Sequence, residues 1–479
     1  WIGRFTHLQR KKHPAQAGGY GGGCGGGYFC RRRGSWIHSP DGRVGATMAK
    51  EPNRVKGEVE TALSPFTTRD GLLGQDAIHK SARLYYKNPK SPFLWRQPSV
   101  AISYITAQKE IPAGMIDLAI GQPSPWLLPY EAMAKAAAHC GARPERMLLA
   151  YGAEQGDRRF RTALSDFLVP IYGMPVDPAH LLVTNGASQA MDLVCTLFSK
   201  AGDTIFVEEP TYFLARKIFA DHQLKPVALP MDGEGLIVEA LEEELRRVRP
   251  AFLYTIPTYH NPTSVCLSAA RREKLAELSR RHRLLVVADE VYHPLSYISP
   301  PPPPMAGACL SADIISLGSF SKILAPGLRL GWLQAAPAII ERLIGCGLLD
   351  SGGGLNPWTS GVVLSALELG LVEKNLAVLK ETYDRRMQAM CAALRERLPQ
   401  TVRFNEPAGG FFIWLELPAA ADTTALLAKA LAQNVEFMPG TRFSSRQGLK
   451  NCMRLSFAFY DTPDLLKGIE RLAAVMGRL

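Results

Sequence analysis

The chain has 479 residues, 47% of them hydrophobic and 21% charged; these proportions exclude a short interaction module and an intrinsically disordered chain. The formal net charge of +11 is concentrated, because residues 1–49 hold eight Lys/Arg against the single acid Asp41 and so supply +7 of it. With no basic stripe interleaved with aromatics later and no run of 18 apolar residues, neither nucleic acid nor a membrane is an expected partner.

The first Met is Met48, and residues 1–47, rich in Gly and basic through Arg31–Arg33, read as a flexible extension. Residues 48–114 read as an N-terminal arm, 115–160 as the N-terminal part of a small domain, 161–370 as a large domain and 371–479 as the C-terminal small domain. Nine scattered cysteines without a CxxC pair fit a reducing compartment. A cytoplasmic location is expected, with an organellar one as the alternative should residues 1–47 act as a transit peptide.

From about Met115 short apolar runs alternate with helical stretches. Strands are predicted at Leu181–Thr184, Thr204–Val207, Phe252–Ile256, Leu284–Ala288, Ile314–Leu317 and Leu328–Leu333, and helices at Ala187–Phe198 and Ala269–His282, the latter capped by Ser268. Continuous apolar strands separated by helices point to an α/β fold with a mostly parallel sheet covered on both faces. Pro300–Pro304 reads as a stiff surface insertion. A long helix over Glu373–Leu398, strands around Phe411–Leu417 and Met453–Phe457 and a closing helix predict a smaller α+β lobe.

The chemistry concentrates in Ser319-Phe320-Ser321-Lys322, followed at Arg329 by an arginine in a Gly-containing turn. An amine between apolar strands, with two hydroxyls and a guanidinium close in sequence, suits a phosphate-bearing aldehyde: donors for the phosphate and a nucleophile for the carbonyl. Upstream, Thr184-Asn185-Gly186-Ala187-Ser188-Gln189 puts small residues where a strand gives way to a helix, a place for an anion. Ala288-Asp289-Glu290-Val291-Tyr292 ends an apolar strand with two acids, and either is a candidate ligand group at a strand's carboxyl end. Asn261 sits in Tyr259-His260-Asn261-Pro262-Thr263, and Arg454 lies inside a C-terminal strand, where its guanidinium needs a partner such as a carboxylate.

Together these segments resemble the class I/II aminotransferases, enzymes of fold type I that depend on pyridoxal 5'-phosphate (PLP), over the stretch from about Asp117 to the C-terminus. The resemblance implies a large domain with a mostly parallel seven-stranded sheet flanked by helices, plus a smaller α+β domain. It implies that Lys322 forms the Schiff base, that Ser319, Ser321, Arg329, Gly186, Ala187, Ser188 and Gln189 hold phosphate, and that Asp289 partners the pyridinium nitrogen. It assigns Asn261 and Tyr292 to the phenolic oxygen, Tyr212 to the ring face, Arg454 to the substrate carboxylate and Gly121 to the substrate cover. Tyr151 would reach the cofactor phosphate of the neighbouring subunit in a homodimer. One departure stands out: Ser264 replaces the glycine usual after Asn-Pro-Thr. The wording of Thr258–Thr263 and Ser351–Ser360 is similar to the 2-aminoadipate and kynurenine aminotransferase-like group. The implied reaction is ping-pong transfer of an amino group from an L-amino acid to a 2-oxo acid such as 2-oxoglutarate. The alternatives are a PLP-dependent lyase and a PLP-sensing transcription regulator. No metal site is predicted.

Overall fold

The structure, a computed structural model, describes residues 104–105, 109–143 and 145–477, all within one compact unit spanning 97–479. The expected extension 1–47 and most of the arm 48–114 lie outside the described residues.

The central sheet is built from β1 (Leu181–Thr184), β2 (Thr204–Glu209), β3 (Lys225–Asp232), β4 (Leu253–Thr255), β5 (Val286–Asp289), β6 (Ile314–Ser319) and β7 (Gly331–Ala335), in the order β1-β7-β6-β5-β4-β2-β3. β7 runs antiparallel to both its neighbours, and the other pairings among these seven are parallel. A two-residue return, Gly235–Leu236, extends the β3 edge to make eight strands. β3 is absent from the sequence-based expectation because Pro226 and Pro230 argue against a central strand; both are tolerated here because β3 lies near the sheet edge, covered only by that return.

Every residue of β1, β4, β6 and β7 is buried, as helices on both faces require. The two predicted helices appear at their expected bounds. One, Ala187–Phe198, begins directly after β1, and the other, Ala269–His282, is capped by the Ser268 hydroxyl accepting from the N–H of Arg271. The long helix runs over Leu371–Arg397, and the closing helix over Thr462–Met476 packs against it. A second sheet, four-stranded and antiparallel, contains Arg403–Phe404, β8 (Phe412–Glu416), Met438–Pro439 and β9 (Cys452–Ser456). Ile116–Asp117 pairs in parallel with Val435–Glu436, which joins the start of the described body to this C-terminal lobe.

The parallel strands end at one rim, and the turns that carry the chemistry leave from it. One glycine on the way to that rim is enforced by packing. A Cβ on Gly318 of β6 would lie 2.0 Å from Cε2 of the buried Trp332, its cross-strand partner on β7. Gly318→Ala is expected to destabilise the fold by about 3 kcal/mol through overpacking, read as a fall in the denaturant midpoint.

Candidate active site

A cavity of about 680 Å³ opens at the carboxyl ends of β4, β5 and β6, and its wall includes Lys322, Asp289, Tyr292, Asn261 and Arg454. Lys322 follows β6 by three residues. Its Nζ donates to the Gly121 carbonyl at 3.1 Å and lies 5.8 and 5.7 Å from the ring centroids of Tyr292 and Phe411. Burial, reinforced by the positive charges of Arg454 and Arg329, lowers its pKa to about 8, against a smaller opposing pull from Asp289. Because only the unprotonated amine takes a proton, a depressed pKa gives roughly a tenth of that form at pH 7 instead of a vanishing amount. The rate of proton removal by this amine is therefore expected to rise tenfold per pH unit below about 8 and to level off above it. Single-turnover kinetics across pH check this.

The two acids after β5 part company. Glu290 turns into the protein, where it meets Arg272 at 3.4 Å and accepts from the Ser316 hydroxyl at 2.7 Å and the Met305 N–H at 3.0 Å. Asp289 lines the cavity. Its Oδ2 accepts from the Tyr254 hydroxyl at 2.8 Å, while its buried Oδ1 makes no hydrogen bond of good geometry, although the Val291 N–H lies near enough to favour the charged form. Burial raises the Asp289 pKa all the same. A buried carboxylate oxygen with an open lone pair beside a cavity fits a cationic N–H.

An anion cradle lies on the other side. Gly186, at φ +81°, precedes the helix Ala187–Phe198, whose first N–H groups have no side-chain cap. Ala187 and Ser188 reach the cavity, together with Ser319, Ser321 and Arg329. A Cβ on Gly186 would stand 3.0 Å from Nη2 of Arg329, so the close approach of backbone and guanidinium depends on glycine there. Arg329 donates to the Ser321 hydroxyl at 3.4 Å and to the Pro326 carbonyl at 3.1 Å, and the Ser319 hydroxyl accepts from the Ser321 N–H at 3.1 Å.

Arg454 on β9 is 2% exposed, and among the described residues it forms no ion pair with a carboxylate. Nη1 donates to the Asn261 carboxamide oxygen at 2.8 Å, Nη2 to the Ala119 carbonyl at 2.6 Å, and the guanidinium lies 4.0 Å from the Phe412 ring centroid. Burial depresses its pKa to about 10, with the phenols of Tyr292 and Tyr212 and the carboxylate of Asp117 pulling the other way. Such a cation gains from a carboxylate arriving in the cavity. Tyr212 lines the cavity as well, and burial pushes its phenol up to about 12; burial also pushes the Tyr292 phenol well up. Both keep their protons near neutrality and serve as donors.

Three expected site residues do not line the cavity: Gly186, which lies behind it against Arg329, Gln189 and Tyr151. The Gln189 side chain folds back to accept from the Asn185 N–H at 3.1 Å, because at the fourth position of the turn it satisfies a backbone donor. Tyr151 is 84% exposed and does not line this chain's cavity. Sequence reasoning missed Tyr254, an unremarkable strand tyrosine, and the rim group of Lys109 with Asp117 at 2.6 Å and Glu436 at 2.5 Å.

The site's parts match the donors and the nucleophile that PLP requires. A family profile for the aminotransferases of class I and II matches residues 113–472. The chain belongs to that family. It is 34% identical over 365 residues to aromatic-amino-acid aminotransferase 1 of Thermococcus litoralis, covering 75% of this chain and 87% of the relative. The solved structure of LysN, the alpha-aminoadipate aminotransferase of Thermus thermophilus, complexed with N-(5'-phosphopyridoxyl)-L-leucine, superposes with a TM-score of 0.69 at 32% identity, over 76% of this chain and 92% of that one. An uncharacterized HTH-type transcriptional regulator of Bacillus subtilis, YdfD, is 29% identical over 451 residues, 90% of this chain and 91% of the relative. The protein is thus a PLP-dependent aminotransferase of fold type I, similar to the 2-aminoadipate and kynurenine group, with amino acids and 2-oxo acids as substrates.

Proposed function

We propose that this aminotransferase passes the amino group of an L-amino acid to 2-oxoglutarate in a ping-pong sequence. The observation that carries the reading is the Lys322 amine, its pKa lowered to about 8, in the cavity that Asp289 and Arg454 also line. Arg454 holds the substrate's α-carboxylate by a charge-assisted pair of hydrogen bonds, which points Cα at Lys322. Lys322 then takes the Cα proton at Nζ and holds it between the two halves of the transfer. PLP, when bound, supplies an aldehyde that captures amines and a ring that withdraws electrons from Cα. Asp289 would pair with the ring nitrogen of PLP and favour its protonated form, Asn261 and Tyr292 would donate to the phenolic oxygen, and Tyr212 would pack against the ring. Gly186, Ala187, Ser188, Ser319, Ser321 and Arg329 hold the phosphate.

The assembly we propose is a homodimer in which Tyr151 reaches the cradle of the partner subunit. Met147 and Leu149, 71% and 80% exposed, stand beside Tyr151 in one apolar run that supports such a contact. The described cysteines are all free thiols, which supports a reducing, cytoplasmic setting.

The test is amino-group transfer. Purified protein with PLP, an amino-acid panel and 2-oxoglutarate is expected to yield glutamate with parallel-line kinetics. Ammonia released without an acceptor points instead to a lyase. The likeness to YdfD supports a second reading, a PLP-dependent DNA-binding regulator. Under it the full chain retards duplex DNA in a salt-dependent manner.

A further inference from the structure

The serine that replaces the usual glycine after Asn261-Pro262-Thr263 occupies the backbone conformation that glycine would take, with φ +60°. A side chain at this conformation is strained, so its presence calls for a compensating contact. The structure supplies one. The Ser264 hydroxyl donates to the Phe412 carbonyl on β8 at 2.6 Å, a bond between the turn that carries Asn261 and a strand of the C-terminal lobe, 148 residues apart. The turn is itself stiff. The Ser264 N–H donates to the His260 carbonyl at 2.6 Å, His260 Nδ1 lies 2.9 Å from the Thr263 hydroxyl, and His260 Nε2 lies 3.2 Å from the buried Glu208 carboxylate.

These contacts close a ring. Asn261 accepts from Arg454, Arg454 lies over the Phe412 ring at 4.0 Å, the Phe412 carbonyl accepts from Ser264, and the turn leads back to Asn261. Arg454 is thereby held between a carboxamide and an aromatic face whose spacing the Ser264 hydroxyl fixes. We infer that Ser264 is a positioning residue that sets the orientation of Arg454 toward the carboxylate of every substrate. The inference rests on the reading of Arg454 as the carboxylate anchor. Both substrates present a carboxylate, so loss of the hydroxyl acts on donor and acceptor alike and leaves the phosphate cradle untouched.

The holoenzyme variants Ser264→Ala and Ser264→Gly separate the tether from mere backbone strain, since glycine removes the hydroxyl and relieves the strain together. The probe is 3-phenylpropionate, a carboxylate with neither amino nor oxo group, titrated by protein fluorescence. Both variants are expected to weaken its binding about five- to tenfold, the scale of one lost hydrogen bond. Both are also expected to raise KM for the amino donor and the 2-oxo acid by the same factor, with kcat within about twofold. If Ser264→Gly binds the probe and both substrates as the parent does, the hydroxyl has no positioning role and the inference falls. Arg454→Lys serves as the control. Undiminished binding of 3-phenylpropionate to that variant overturns the anchor reading itself, independently of the outcome at Ser264.

Discussion

Lys322→Ala is expected to lower kcat for amino transfer by on the order of 10⁴-fold or more, because one amine is both the point of covalent capture and the proton carrier. No neighbour can take its place. Tyr292, Tyr212 and Tyr254 are held protonated by burial, Arg454 and Arg329 are cations, and Asp289 is engaged by Tyr254 on one oxygen. Folding is not the cause of the loss. Among the described residues the amine makes one hydrogen bond, to the Gly121 carbonyl, and its burial and the repulsion of two guanidiniums outweigh the pull of Asp289, so the melting temperature of the variant is expected to equal or exceed that of the parent. A thermal-shift measurement beside the steady-state assay separates loss of chemistry from loss of structure. A variant that melts normally and retains more than about a hundredth of parental kcat would deny Lys322 this role.

Asp289→Asn is expected to cost kcat about 10³-fold, the upper part of the range for removing one preorganised electrostatic partner. The substitution keeps the shape, and the Tyr254 hydroxyl still finds an acceptor in the carboxamide oxygen. What disappears is the negative charge at the end of β5. Two readouts follow with definite signs. The electron-withdrawing power of the cofactor ring weakens, so the single-turnover rate falls. Asp289 also pulls the Lys322 pKa upward, so its neutralisation moves the pH-dependent limb below about 8. A limb that moves upward contradicts the geometry. Glu290→Gln has a different expected signature, because Glu290 contacts Arg272, Ser316 and the Met305 N–H and does not line the cavity. It is expected to lower stability by about 3 kcal/mol, by leaving Arg272 without its buried counter-charge, while the pH limb stays in place.

The sequence discloses what is local. Lys322 with Ser319 and Ser321, the Gly186 turn and the Asp289-Glu290 pair each lie within a few residues of a strand end, and the apolar runs around them mark the strands. Which of the two acids faces the cavity is a matter of side-chain direction after the strand. Strand alternation leaves that open where both faces are buried. Tyr254 meets Asp289 across neighbouring strands, 35 residues apart, and Ser264 meets Phe412 across 148. Such pairs exist only once the sheet order and the docking of the C-terminal lobe are known. Gln189 illustrates the converse. Its place in a phosphate-loop pattern suggests an anion ligand, yet its amide oxygen accepts from the backbone N–H of Asn185, four residues back, and its side chain does not line the cavity. β3 is obscured by its two prolines, which local propensity reads as a break and the sheet accommodates near its edge.

The central claim, that cofactor chemistry is anchored at one side chain, is tested most directly by borohydride reduction of the PLP-loaded enzyme followed by peptide mass mapping. A single phosphopyridoxyl group is expected, carried by the peptide that contains Lys322. Its appearance on another lysine, or the absence of any label in protein that binds PLP, would contradict it.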